Sequence, residues 1–92
     1  MFQAGSGVDL LPIFIKEVTM FFTLKEISAA CQAYRRREGV AQSRVAIDTG
    51  YSVESVSAFE RGRTNNLMIY LWYANRGMDI EEEVRRLRNA KL

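Results

Sequence analysis

The sequence lacks most of the residues that support catalysis, metal binding or disulfide cross-links. It has no histidine, which removes the commonest general base and metal ligand. It has one cysteine, Cys31, so it offers no internal disulfide framework, which fits a reducing cytoplasm. It also has no glycine-rich phosphate-binding loop and no clustered cysteines or paired inward carboxylates. We therefore expect a cytoplasmic protein that is not an enzyme and that uses neither a metal nor a cofactor.

The chain also lacks a hydrophobic run long enough to cross a membrane. The apolar residues between positions 10 and 15 are too few to span a bilayer, and no basic segment precedes them, as a signal peptide requires. The 92 residues, 48% hydrophobic and 26% charged, predict one soluble globular domain with a modest core. The net charge of +2 is weak evidence for nucleic-acid binding. Arginines flanking residues 42–62 are stronger evidence, although acidic residues lie among them, as on any solvated surface.

Residues 1–19 are the least explained part of the sequence. The codons for Lys16, Glu17 and Val18 can form a strong bacterial ribosome-binding sequence, and Met20 follows closely. We interpret residues 1–19 as an N-terminal extension or translated leader, with Met20 as the native start. The alternative is coincidence, because each of these codons has synonyms. In that case the apolar run would pack as an added helix or strand.

The segment at residues 42–62, QSRVAIDTGYSVESVSAFERG, predicts two short helices joined by a tight turn. Gly50 accepts the positive φ that a helix end needs, and Ser52 is a good N-cap for the second helix. Val56 and Phe59 recur at helical spacing as its buried stripe. The opposite face is polar or small and would fit a DNA major groove, but the same spacing suits an ordinary helical hairpin. That face consists of Glu54, Ser57, Ala58 and Arg61.

The residues from Arg35 to Gly62 resemble the phage-repressor and Cro type of helix-turn-helix, the Xre family. The matching pieces, all in one register, are Arg35, GVAQSRVA at 39–46, Gly50, SVESVS at 52–57 and FERG at 59–62. The resemblance extends over roughly residues 25–80. It implies an all-α, compact five-helix lambda-repressor-like domain over residues 20–92. Thr49 departs from the pattern, since the family has an apolar residue there, and the family's leucine before Gly77 is missing.

This resemblance implies a sequence-specific DNA-binding transcriptional regulator of bacterial or phage type. Residues 52–60 would be the recognition helix in the major groove of double-stranded DNA, with a homodimer on a two-fold operator. Val53 or Ala58 would contact a thymine methyl, and Glu54 would accept from cytosine N4. Affinity would come from arginines at the end of the first helix and around the motif. The expected DNA contacts are Gln42, Ser43, Arg44, Ser52, Val53, Glu54, Ser57, Ala58, Arg61, Arg63 and Asn65.

The first helix is predicted from about Leu24 to Glu38, with Thr23 and Glu26 as a capping box at its start. Its apolar stripe consists of Leu24, Ile27, Cys31 and Tyr34. The resemblance implies that Arg35, near its end, forms a structural salt bridge with Glu60. Such a partly buried pair would set the angle between the first helix and the recognition helix.

Residues 67–76 predict a fourth helix that is apolar on every side and ends at Gly77. The resemblance directs Ile69, Tyr70, Tyr73 and Ala74 to the core. Met68, Leu71 and Trp72 would then form a possible partner surface or cover the N-terminal segment, with core over-packing as the alternative. Asp79 would cap a last helix from Ile80 to about Lys91. Its stripe of Ile80, Val84 and Leu87 would dock on helix 4 or pair with a second copy.

The absence of strong base-reading residues before Arg61 favours an alternative function. The chain would then be a protein-interaction module of the same fold, an antirepressor or phage accessory factor. It would bind another regulator through helix 4 or the C-terminal helix. The antitoxin of a toxin pair is a third possibility, with the same DNA-binding logic. The sequence does not distinguish a repressor from an activator.

Overall fold

The structure, a computed structural model, describes residues 21–90. This part of the chain forms five α-helices and no strand, so the expected all-α class is confirmed for it. The expectations for residues 1–19, the start at Met20 and the extension of the last helix to Lys91 lie outside the described residues. The helices are α1 Leu24–Arg37, α2 Gln42–Thr49, α3 Val53–Glu60, α4 Leu67–Asn75 and α5 Ile80–Ala90.

The helices begin and end where local sequence chemistry directs them. At α1 the Thr23 hydroxyl accepts from the Glu26 N–H at 3.1 Å, and the Glu26 carboxylate accepts from the Thr23 N–H at 3.0 Å. This is the predicted capping box. At α5 the Asp79 carboxylate accepts from the Glu82 N–H at 3.2 Å, as expected of a cap. The cap of α4 is Asn66, whose side chain accepts from the Ile69 N–H at 3.1 Å.

The core lies between α1, α2, α3 and α4, and aromatic side chains dominate it. Phe59 of α3 and Tyr73 of α4 are stacked with ring centres 5.9 Å apart, and Trp72 meets Tyr73 edge-on at 5.1 Å. Val56 is fully buried beside them. Cys31 is fully buried too, and burial raises the pKa of its thiol. It is therefore a small core residue, as expected, and is not poised as a nucleophile.

Two expectations about apolar side chains are wrong. Leu24 was placed on the buried stripe of α1, but it is 38% exposed because it lies in the first turn, at the edge of the core. Trp72 was placed on a possible partner surface, but it is only 9% exposed. Its ring packs into the core, and its indole N–H reaches outward to the Asp48 carboxylate at 2.9 Å. A tryptophan can fill a core in this way when its single polar atom finds a partner at the edge.

The last helix, α5, packs chiefly against α1, so the predicted docking on helix 4 is wrong. Val84 of its apolar stripe is fully buried. Two ion pairs flank this contact: Arg37 donates to Glu83 at 3.0 Å, and Arg88 donates to Glu26 at 2.6 and 2.9 Å. The basic and acidic positions of the two helices match in this arrangement.

Candidate functional site

A buried carboxylate joins four helices behind the outward face of α3. Arg35 of α1 donates to both oxygens of Glu60, at 2.7 and 2.9 Å, so the expected salt bridge is present and bidentate. Gln42 of α2 donates to the same carboxylate at 3.0 Å, and the Tyr73 hydroxyl of α4 also donates to it. Glu60 ends α3, so these bonds hold the end of α3 against the other three helices. The pair fixes the direction in which α3 faces.

The charges of this network are satisfied inside the fold. Burial raises the pKa of Glu60, but the donors Arg35, Tyr73 and Gln42 outweigh it and hold that pKa below its usual range. The remaining Arg35 nitrogen donates to the Val40 carbonyl at 2.7 Å. The network is therefore a structural clamp.

The first turn of α3 is directed outward. The Ser52 hydroxyl caps the helix by accepting from the Ser55 N–H at 3.1 Å, so its acceptor is already used. The next two side chains, Val53 and Glu54, are exposed. Ser57 and Ala58, further along, are half-buried. Beside them runs an open cleft of about 250 Å³ between α3 and the 64–66 loop. The outward face is thus concentrated at the N-terminal end of α3.

The other expected contact residues are exposed, with one exception. Ser43, Arg44, Arg61, Arg63 and Asn65 are exposed. Gln42 is the exception, because its amide donates inward to Glu60. Its evident role is to satisfy that carboxylate.

Arginine pairing decides which cations remain available to a ligand. Arg44 pairs with Asp48 at 3.3 Å, across one turn of α2. Arg35 is buried and Arg37 is held by Glu83, so the expected contribution of the arginines that end α1 reduces to Arg36. Within residues 21–90, the cations that have no acidic partner are Lys25, Arg36, Arg61 and Arg63. Two of these four follow α3 directly.

Thr49, which departs from the family pattern, is accommodated locally. Its hydroxyl donates to the Val45 carbonyl at 2.7 Å, one turn earlier in α2. Gly50 then ends the helix with a φ of +81°, and nothing lies within 4 Å of the position that a side chain would take there. The tight turn into α3 is therefore preserved despite the polar residue.

Exposed apolar side chains lie at the start of α4, away from the Arg35–Glu60 pair. Leu67 is 65% exposed and Met68 is 56% exposed, whereas Leu71 is half-buried. Of the three residues expected on a partner surface, Met68 is exposed, Leu71 is half-buried and Trp72 is buried. Leu67 was missed. It is the first residue of α4. Because this helix is apolar on every side, periodicity could not show which of its side chains would be exposed.

The comparisons with known proteins give no relative. No protein-family model matches the chain, and neither the curated proteins nor the solved structures include a significant match. Among residues 21–90, no three Cys, Asp or Glu side chains are grouped as a metal site would require. None of the helices in that range is long and apolar enough to cross a bilayer.

Proposed function

We propose that the chain is a sequence-specific DNA-binding transcriptional regulator of bacterial or phage type, with α2 and α3 forming a helix-turn-helix in a lambda-repressor-like arrangement. The observation that carries this proposal is the clamp between Arg35 and Glu60. It holds α3 so that Val53 and Glu54 face outward at its start while Arg61 and Arg63 follow at its end. A helix presented in this way can enter a major groove with cations beside the phosphates.

Base recognition and backbone attraction would come from different residues. Val53 offers an apolar contact to a thymine methyl, and the Glu54 carboxylate can accept from cytosine N4. Arg44, Arg61 and Arg63 would bind phosphates, with Arg44 exchanging its Asp48 partner for the phosphate. A helix face with one carboxylate and no amide or arginine reader predicts modest sequence selectivity. As in the family it resembles, the protein would act as a homodimer in the cytoplasm.

A salt titration against random-sequence duplex DNA tests the regulator. Three arginine contacts per subunit give about six in a dimer, so the slope of log K against log salt should be about −5. Binding that is absent even at low salt would refute the proposal.

Selection of bound duplexes from a random pool then separates the two roles. Arg61→Ala should weaken binding to every selected duplex, because it removes a backbone contact. Glu54→Ala should change the preferred sequence, because it removes a base contact. Arg86→Ala on α5 is the matched control for loss of one positive charge, and it should leave both affinity and preference unchanged.

The second candidate is a protein-interaction module that binds another regulator. The exposed Leu67 and Met68 favour it, as does Glu54, whose carboxylate would repel phosphates. In that case Met68→Glu should abolish self-association or partner binding in sedimentation analysis, while duplex binding is absent from the parent protein. Retained duplex binding in Met68→Glu would favour the regulator instead.

A further inference from the structure

A cleft lies between the first turn of α1, the end of α3 and α5. It has a volume of about 300 Å³ and is lined by Lys25, Glu26, Glu60, Arg61, Leu87 and Arg88, with Ala29 at its floor. Lys25 does not belong to the motif and is 36 residues from Arg61 in sequence. The cleft brings these two cations together.

The acidic residues of this cleft are already neutralised. Glu26 accepts two bonds from Arg88, which lowers the Glu26 pKa to about 2, helped by the Thr23 N–H. Glu60 is held by Arg35 on the inner side. Neither Lys25 nor Arg61 has an acidic partner within the described part of the chain. The charge left over in the cleft is therefore positive, and its natural ligand is an anion.

The backbone and stem of Lys25 lie close to Gly62 in the loop after α3. Its Cγ lies 3.3 Å from the position that a Cβ on Gly62 would occupy, and its Cα lies 3.5 Å from that position. Only a glycine at 62, with its φ of +77°, allows this approach of α1 to the loop after α3. The lysine stem thus lies beside the residue that follows Arg61.

The position of Lys25 also departs from the charge pattern of the helices. Acidic side chains occupy the first turns of α1 and α5, at Glu26 and at residues 81–83, and basic ones occupy the end of α1, as helix dipoles favour. Lys25 is a cation in the first turn of α1, where the dipole opposes it, as Arg44 is in the first turn of α2.

We propose that Lys25 and Arg61 form one phosphate-binding site, which rests on the proposed function in that its ligand is a backbone phosphate of the bound duplex. The contact adds α1 to the DNA-binding surface and extends it beyond the end of α3. It also sets the register of the protein along the strand, because two rigid elements grip the same phosphate.

The test measures binding of a fluorescent random-sequence duplex over a range of salt concentrations. The proteins are the parent, Lys25→Gln, Arg61→Gln, the double variant and the control Arg86→Gln, all checked for unchanged thermal melting. Each variant removes one phosphate contact from each subunit of the dimer, which lowers the salt slope by about 1.8 and corresponds to roughly 200-fold weaker binding at 50 mM salt. Both single variants should show this loss and the control should not. The double variant should weaken binding by less than the product of the single effects, because the site is shared.

The outcomes separate this inference from the proposed function. If Arg61→Gln weakens binding while Lys25→Gln behaves like the control, the shared site is refuted and the regulator stands. If the parent protein binds no duplex, the proposed regulator function is refuted. An NMR titration with inorganic pyrophosphate then tests whether the cleft binds phosphate at all. Pyrophosphate should then change the amide chemical shifts of residues 25, 61 and 62, and Lys25→Gln should abolish these changes. This result would assign the site to a free phosphorylated ligand. The absence of these changes would refute a phosphate site of either kind.

Discussion

Replacing Arg35 by methionine should remove a large part of this protein's free energy of unfolding. Methionine keeps much of the apolar stem but removes the charge that faces Glu60. Both side chains are buried, at 7% and 4% exposure, so water cannot replace the lost partner. Breaking a buried pair by removing one member costs about 3–5 kcal/mol, since the other charge stays buried. The substitution also removes the hydrogen bond from Arg35 to the Val40 carbonyl, and this loss is included in the same range.

This loss is large compared with the whole. A chain of 92 residues is stabilised by about 5–14 kcal/mol in total, at the usual value per residue. For a domain of this size each kcal/mol lowers the melting temperature by about 4–8 °C, so we expect a fall of roughly 12–40 °C. Urea unfolding followed by circular dichroism measures the free energy directly. Arg36→Met, an exposed neighbour on α1, is the matched control and should change stability by less than about 0.5 kcal/mol.

The pH dependence identifies the mechanism. In the parent the Glu60 pKa is lowered, so its contribution is present above the unfolded value near 4.3 and is lost as pH falls through the folded value. In Arg35→Met burial is opposed only by Tyr73 and Gln42, which raises the folded pKa. The variant then becomes less stable as pH rises through the unfolded value. The difference between the two proteins should therefore grow from low pH toward neutrality.

Two results would contradict this account. A loss below about 1 kcal/mol at pH 7 would mean that the pair is not an essential clamp. A large loss that is independent of pH would mean that packing, not charge, is responsible. The double variant Arg35→Met with Glu60→Gln should recover part of the stability, because a neutral amide removes the unpaired charge and its oxygen still accepts from Tyr73.

Three further predictions concern the caps, turns and ion pairs. Trp72→Phe removes the indole donor that chiefly lowers the Asp48 pKa, so that pKa should rise toward its ordinary value in an NMR titration. Gly62→Ala should destabilise the protein by about 1–2 kcal/mol, because residue 62 has a positive φ. The loss should exceed that of Gly39→Ala, since a side chain at position 39 would meet no neighbour within 4 Å. Urea unfolding of both variants measures the difference. The Glu26 pKa is lowered to about 2, so the free energy of unfolding should fall as pH drops from about 4.3 toward 2. Glu26→Gln should make this acid dependence less steep, as measured by Trp72 fluorescence.

Local sequence determined the elements of this protein. Each predicted helix between residues 24 and 90 is present, and the side-chain caps of α1, α3, α4 and α5 depend on neighbours three residues away. The buried stripe of Val56 and Phe59 was readable for the same reason, since helical periodicity alone defines it. The Arg35–Glu60 pair was expected from resemblance, because the residues matched the family pattern in one register. Whether α3 binds DNA stays a prediction.

Tertiary structure decided which faces meet. α5 lies on α1 and not on α4, because ion pairs of residues distant in sequence flank its apolar stripe. Trp72 is buried, because Asp48, 24 residues away, offers its indole an acceptor. Lys25 lies against Gly62 through the approach of α1 to a turn that no local pattern could place. Periodicity specifies that a helix has a buried face, but the partner of that face is chosen by packing and charge between elements that are far apart in the chain.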